Sequence, residues 1–117
     1  MTMKTIAMLG IIGVLLGCGG SGSTPTSPTP PAHGATVQAT PSIAFTPATT
    51  TIAAGTTVTF DFGSVAHNVF FDAHSGTPPD VSGNNVNTSV IRTFNTAGSY
   101  SYTCHIHPSM HGTVIVQ

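Results

Sequence analysis

The sequence predicts an all-β protein arranged as a Greek-key β-sandwich, and three features predict it. Thr, Ser, Gly, Val and Pro are abundant, only 4% of residues are charged, and no long stretch carries helical periodicity. Short β-branched and aromatic runs are separated by Gly, Pro and Asn clusters, which is the punctuation of a many-stranded sheet protein. Thr57-Val58-Thr59-Phe60-Asp61-Phe62 alternates polar and apolar side chains, as a strand with one buried face must.

Taken in order, the 117 residues divide into a leader, a linker and one domain. Residues 1–17 read as a signal peptide: Lys4 precedes an apolar run from Ile6 to Leu16 that is too short to span a bilayer as a stable helix. The run ends Leu15-Leu16-Gly17-Cys18, which resembles the bacterial lipobox. That resemblance implies cleavage before Cys18 and lipidation of its side chain; an ordinary signal peptide with an incidental Cys is the alternative. Gly19 follows the Cys where inner-membrane lipoproteins often carry Asp, so the analogy favours the outer membrane or cell surface, with a periplasm-facing anchor also open. Residues 18–35 are a lipid-anchored linker, Gly/Ser-rich and then Pro-rich, flexible first and extended after. His33 within it reads as solvated.

The domain occupies residues 36–117. Val37-Gln38-Ala39 and Ile43-Ala44-Phe45 read as short strands, with Pro41 and Pro47 marking edge or switch positions. Thr51-Ile52 leads into a turn at Ala54-Gly55, and the alternating strand 57–62 follows. Gly63-Ser64 bends the chain towards His67, after which Asn68-Val69-Phe70-Phe71 forms a strand. Residues 72–86, rich in Gly, Pro and Asn, read as a long loop. Strands are expected from Thr88 to Phe94 and from Tyr100 to Cys104, and Val114 to Gln117 closes the sheet. The expected core is Val37, Ile43, Phe45, Ile52, Val58, Phe60, Val69, Phe71, Val90, Phe94, Tyr102, Val114 and Val116. Tyr100, just after Gly98, reads as a tyrosine corner whose hydroxyl bonds backbone.

Charge narrows the partners. Lys4 and Arg92 are the only Lys or Arg, and Asp61, Asp72 and Asp80 the only acids. No basic patch can form, which argues against nucleic acid. The two cysteines, Cys18 and Cys104, would by default pair in an exported protein; lipidation of Cys18 leaves Cys104 as a free thiol.

Chemistry concentrates in Tyr102-Thr103-Cys104-His105-Ile106-His107-Pro108-Ser109-Met110. The spacing C-x2-H-x2-M offers a thiolate, an imidazole and a thioether, and His67 adds a second imidazole from the end of another predicted strand. Soft sulfur donors beside imidazole suit copper in a trigonal His2Cys site with a weak axial Met. A structural zinc site would normally use more than one Cys. A Cys-His nucleophilic pair would need a third group to orient the base, and none is signalled.

Y-x-C-x-x-H-P-x-M-x-G-x-V-x-V, with His67-Asn68-Val69 about forty residues upstream, resembles the small cupredoxins, amicyanin and the plastocyanin-like domains in particular, over roughly residues 41–117. The resemblance implies a cupredoxin-like sandwich holding one type 1 copper, with ligands His67, Cys104, His107 and Met110. It also implies that Asn68 ties the two ligand loops together by hydrogen bonds, and that the C-terminal ligand, His107, reaches the surface as the electron port. His105 directly after Cys104 is similar to the multicopper oxidases, but Thr103 precedes the Cys and one domain is present, so no second catalytic copper and no enzyme activity are expected. His105 and His111 read as surface residues, with a weak second metal site as the alternative, and His74 as solvated. The expected function is single-electron carriage at the cell envelope by a monomer that meets redox partner proteins through an apolar patch of Pro108, Val65, Ala66 and Gly63. A copper-binding or copper-delivery protein and a surface adhesion sandwich with coincidental ligands are the alternatives.

Overall fold

The structure is a computed structural model that describes residues 34–117. The signal peptide, Cys18, and all but the last two positions of the linker lie outside the described residues. Among the described residues nine strands follow one another: β1 (Ala35–Thr40), β2 (Ala44–Thr46), β3 (Thr49–Ile52), β4 (Thr56–Phe62), β5 (His67–Phe71), β6 (Val81–Asn85), β7 (Thr88–Phe94), β8 (Gly98–Thr103) and β9 (His111–Val116). They form a four-stranded sheet ordered β2-β1-β4-β7 and a five-stranded sheet ordered β3-β9-β8-β5-β6. The pairings β1–β4 and β3–β9 are parallel and the rest antiparallel. The chain crosses between sheets at Pro47, after a cis Thr46-Pro47 bond, in keeping with the expected switch position.

Period-two alternation sets the core. β4 turns Val58, Phe60 and Phe62 inward, β8 turns Tyr100 and Tyr102, and β9 turns Val114 and Val116, all buried between the sheets. The aromatic rings meet edge to face: Tyr102 lies 4.8 Å from Phe45 and 5.4 Å from Phe60 between centroids, and Phe94 5.3 Å from Tyr100. Tyr102 also lies over Gly112, its cross-strand partner on β9; a Cβ there would run into the phenol oxygen and ring. Among the described residues the Tyr102 hydroxyl has no hydrogen-bond partner, and burial pushes its pKa well above the ordinary tyrosine value.

At the pole away from Cys104, the Tyr100 hydroxyl donates to the Thr96 carbonyl at 2.6 Å, the expected tyrosine corner. His74 is exposed, but its ring packs edge-on against Tyr100 at 4.8 Å. Arg92 clasps the open side between the sheets. From β7 it donates to the carbonyls of Pro79 (2.7 Å) and Asp80 (2.9 Å), just ahead of β6, while Asp80 Oδ1 accepts from the Phe71 amide.

Three expectations need correction. Residues 72–86 are not loop throughout, because Val81–Asn85 pairs with β5 as β6. Only Val81 of that strand turns into the core, so a Gly- and Asn-rich stretch carries no alternation to betray it. Ile43 is not core: it occupies the last position of the β1–β2 turn with φ of 61°, and is exposed. Phe71 and Val90 are half-buried against the core, whereas Ala39, Phe62, Val81, Tyr100, Cys104 and Met110 belong to it.

Candidate metal centre

The ligand pole is assembled from loops that four strands deliver to one end of the sandwich. β5 opens on His67 and runs antiparallel to β8, whose last residue Thr103 precedes Cys104. β9 starts at His111 opposite Thr103, so residues 104–110 form the loop between two paired strands. That loop closes on itself. The Cys104 amide donates to the Met110 carbonyl at 2.9 Å, and the Met110 amide donates to the His107 carbonyl at 2.8 Å. The Asn68 side chain joins the two ligand segments as expected, its Oδ1 accepting from the His105 amide at 2.7 Å.

His67, Cys104 and His107 converge. Cys104 Sγ lies 3.9 Å from His67 Nδ1 and 3.9 Å from His107 Nδ1, and the two Nδ1 atoms are 3.2 Å apart. A point equidistant from three atoms so spaced lies about 2.1 Å from each, within the ~2.0–2.3 Å typical of metal bonds to imidazole and thiolate. The donors therefore fit an ion at the centre of their triangle. Among the described residues no other group of three His, Cys, Asp or Glu side chains converges in this way. His67 and Cys104 are fully buried and His107 half-buried. Met110 is buried in the same loop.

The tautomer of His67 is fixed by a contact that the sequence does not signal. Its Nε2 lies 3.0 Å from the Thr40 carbonyl, which can only accept, so Nε2 carries the proton and Nδ1 presents its lone pair to Cys104 and His107. Thr40 ends β1 in the other sheet, and the same carbonyl accepts from the Ile43 amide at 3.1 Å, closing the β1–β2 turn. Burial lowers the pKa of His67; the Thr40 bond opposes that, and the nearby His107 ring adds a smaller lowering. A neutral imidazole is the form that binds metal. On the far side of the ligand strand, Asn85 Nδ2 donates to the His67 carbonyl at 3.0 Å.

The pole is ringed by small and apolar residues. Gly63 sits beside Ala39 and Pro41, and its carbonyl accepts from the Asn87 amide, which brings the β6–β7 turn alongside residues 63–66. Among the described residues, three of the four exposed large hydrophobic side chains, Ile43, Val86 and Ile106, stand on loops at this end. His105 and His111 are exposed, as expected. His105 stacks flat on Phe70, with centroids 3.9 Å apart and planes 4° from parallel.

Two packed sheets with two imidazoles, a thiolate and a neighbouring methionine gathered at one pole define a copper-binding cupredoxin sandwich. The chain belongs to the plastocyanin/azurin family of copper binding proteins, whose family model matches residues 32–117. Among solved structures it is similar to amicyanin from Paracoccus versutus (Thiobacillus versutus), at 35% identity and TM-score 0.62, covering 79% of this chain and 94% of that one. It is similar to a mutant plastocyanin of fern at 25% identity and TM-score 0.59, covering 70% of this chain and 99% of that one. It also resembles a copper-containing nitrite reductase from Thermus scotoductus SA-01, at 30% identity and TM-score 0.61. That likeness covers 71% of this chain but only 22% of the reductase, so the chain spans about a fifth of that protein's length. No curated protein matches the sequence. The family and the donor set together identify the cofactor as one type 1 copper.

Proposed function

We propose that the protein is a single-electron carrier whose copper is bound by His67, Cys104, His107 and Met110. The observation that carries this reading is the triangle of Cys104 Sγ and the two Nδ1 atoms, sized for one ion and preset by hydrogen bonds. Bound copper supplies a one-electron couple. The chain's own residues supply the constraint: Thr40 orients His67, Asn68 ties the ligand segments together, and the two backbone bonds inside the 104–110 loop hold Cys104, His107 and Met110 in register. A site braced on every side changes little in geometry when its charge changes, which favours electron carriage. Cys104 would hold the copper as thiolate, and Met110 would add a weak thioether donor that tunes the potential.

Burial of His67 and Cys104 supports carriage over delivery, since a protein that hands its metal on needs its ligands within reach of a partner. His107, the ligand nearest solvent, is the exit for electrons, and the apolar surround of Gly63, Val65, Ala66 and Pro108, widened by Ile43, Val86 and Ile106, is the docking patch for redox partner proteins. Such encounters need only a small interface. Few charges stand near it, Asp61 on β4 being two residues from Gly63. Monomeric action at the cell envelope, held by a lipid on Cys18, completes the proposal on sequence grounds, and the mass of the mature protein tests the lipid directly.

The decisive experiment adds Cu(II) to the protein and records its visible spectrum. An intense thiolate charge-transfer band is expected, lost in Cys104→Ser and retained with a shifted potential in Met110→Leu. A colourless copper complex, or a band that survives Cys104→Ser, refutes the assignment.

A further inference from the structure

We propose that Thr40 is a positioning residue that sets the reduction potential of the copper through its hydroxyl, which keeps its own carbonyl aimed at His67. The proposal rests on the reading of His67 as a copper ligand. A carbonyl alone would leave position 40 indifferent to its side chain, since every residue carries one. What makes the position particular is the grip of the hydroxyl on the turn that follows.

Thr40 ends β1 directly opposite Ala44, which begins β2. Its Oγ1 donates to the Ala44 carbonyl at 3.0 Å. That bond uses the only proton of the hydroxyl, so in the 2.8 Å contact with Ser42 Oγ it is Ser42 that donates. The Thr40 carbonyl holds two further donors, the Ile43 amide at 3.1 Å and His67 Nε2 at 3.0 Å, and these fill its two lone pairs. Pro41 leaves the next peptide unit without an N–H to anchor it. The tilt of that unit, and with it the direction of the Thr40 carbonyl, is therefore governed from the Thr40 side. The left-handed φ of 61° at Ile43 fits this account, because backbone strain persists where the surroundings over-determine the conformation.

The consequence falls on His67. It is fully buried, so water cannot take over from a carbonyl that swings away. A hydrogen bond from the outer ring N–H to a carbonyl makes imidazole a stronger metal donor. A stronger donor favours the more highly charged ion, Cu(II) over Cu(I). Loosening the turn thus weakens the hold on Cu(II) and raises the potential.

Two measurements on the copper-loaded protein test the role of Thr40. Thr40→Val keeps the β-branched shape and the carbonyl and removes the hydroxyl. Deleting an outer partner of a metal ligand costs about 10–100-fold in affinity; tilting the partner without deleting it should cost roughly three- to tenfold in Cu(II) affinity relative to Cu(I). In potential that is a rise of about 30–60 mV, at ~59 mV per tenfold for one electron. In the reduced protein, which is diamagnetic, the NMR signal of the His67 Nε2 proton should move upfield as its bond lengthens. Thr40→Ser restores the hydroxyl and should return both readings to near wild type. The thiolate band should persist in both variants, since Cys104 is untouched. A potential unchanged or lowered in Thr40→Val, or an unmoved His67 proton signal, overturns the role of Thr40 alone, even where the melting temperature falls. Thr40→Ser behaving as Thr40→Val does also overturns it. A wild-type copper complex without the band overturns both this role and the copper assignment beneath it.

Discussion

Ile43 is in the wrong conformation for its side chain, and replacing it should stabilise the domain. At φ of 61° it occupies the left-handed region, at the position of a three-residue hairpin loop that normally carries Gly or Asn. The strain for an L-residue there is about 1–2 kcal/mol. Against this stands the burial lost on truncation. Ile43 is 43% exposed, so the part of its apolar surface that is covered contributes only about 0.5–1 kcal/mol. Ile43→Asn should therefore gain about 0.5–1 kcal/mol, which in a domain of this size raises Tm by roughly 2–8 °C. Ile43→Gly relieves the same strain but loosens the unfolded chain, costing roughly 0.5–1 kcal/mol, and should fall near the wild type. Ile43→Val keeps the β-branch and the strain while losing a methyl group, and should fall below it. Thermal unfolding of the metal-free protein by circular dichroism gives the ranking without metal linkage. Val at or above Asn would show that apolar contact, not backbone strain, governs the position, and would sink the argument. The visible spectrum of the copper-loaded Asn variant should match wild type, since the Thr40 carbonyl that orients His67 belongs to the strand and not to the replaced side chain.

The remaining predictions concern packing, the clasp and protons. Gly112→Ala should destabilise by about 1–3 kcal/mol through overpacking against the buried Tyr102 ring, and Tyr102→Phe in the same chain should return part of that loss in urea unfolding. Arg92→Met should lower the urea midpoint by the equivalent of about 0.5–1.5 kcal/mol, because the bonds to the Pro79 and Asp80 carbonyls go; an unchanged midpoint would mean that the clasp is decorative. For His67 the folded-state pKa is depressed chiefly by burial. As pH falls through about 6.5, the unfolded metal-free chain takes up a proton that folded His67 still refuses, so stability is lost until the folded site protonates as well. Melting of metal-free protein from pH 7.5 to 5.5 should show this decline, and a His67→Gln variant should show less of it; equal slopes would count against burial of a neutral His67.

Sequence reading and structure agree where a local pattern carries the information, and part where a distant one does. The alternation in 57–62 marked β4, and Tyr100 after Gly98 marked the corner bond to Thr96. The C-x2-H spacing and His67 indicated which donors meet, because the loop between two paired strands brings Cys104 and His107 to one point beside His67. β6 escaped notice since its pairing with β5 rests on backbone, and of its side chains only Val81 turns into the core. Ile43 misled because Ile-Ala-Phe alternates as well as any strand, while the turn preceding Ala44 depends on where Pro41 bends the chain. The Thr40 carbonyl had no signal at all: backbone oxygens are the same in every residue, and only the closed sandwich brings this one 3.0 Å from His67.

The parallel pairing of β3 with β9 has a consequence for the order of events after synthesis. Thr49–Ile52 finds its partner only in Thr113–Val116, and β9 in turn lies beside β8, so the five-stranded sheet closes across most of the domain's length. Contacts so remote in sequence are late and slow to form. Until they do, β9 is held only by its local pairing with β8, so that hairpin can fray and leave the segment from Cys104 to Met110, and its thiol, open to solvent oxidants. A newly made chain thus passes through an interval in which Cys104 is vulnerable, and locking of β9 against β3 is the step that ends it. Metal should enter a site already folded rather than gather the strands around itself. Copper given during refolding should accordingly leave the refolding rate unchanged, while the yield of blue protein should depend on how reducing the medium is before β9 locks in.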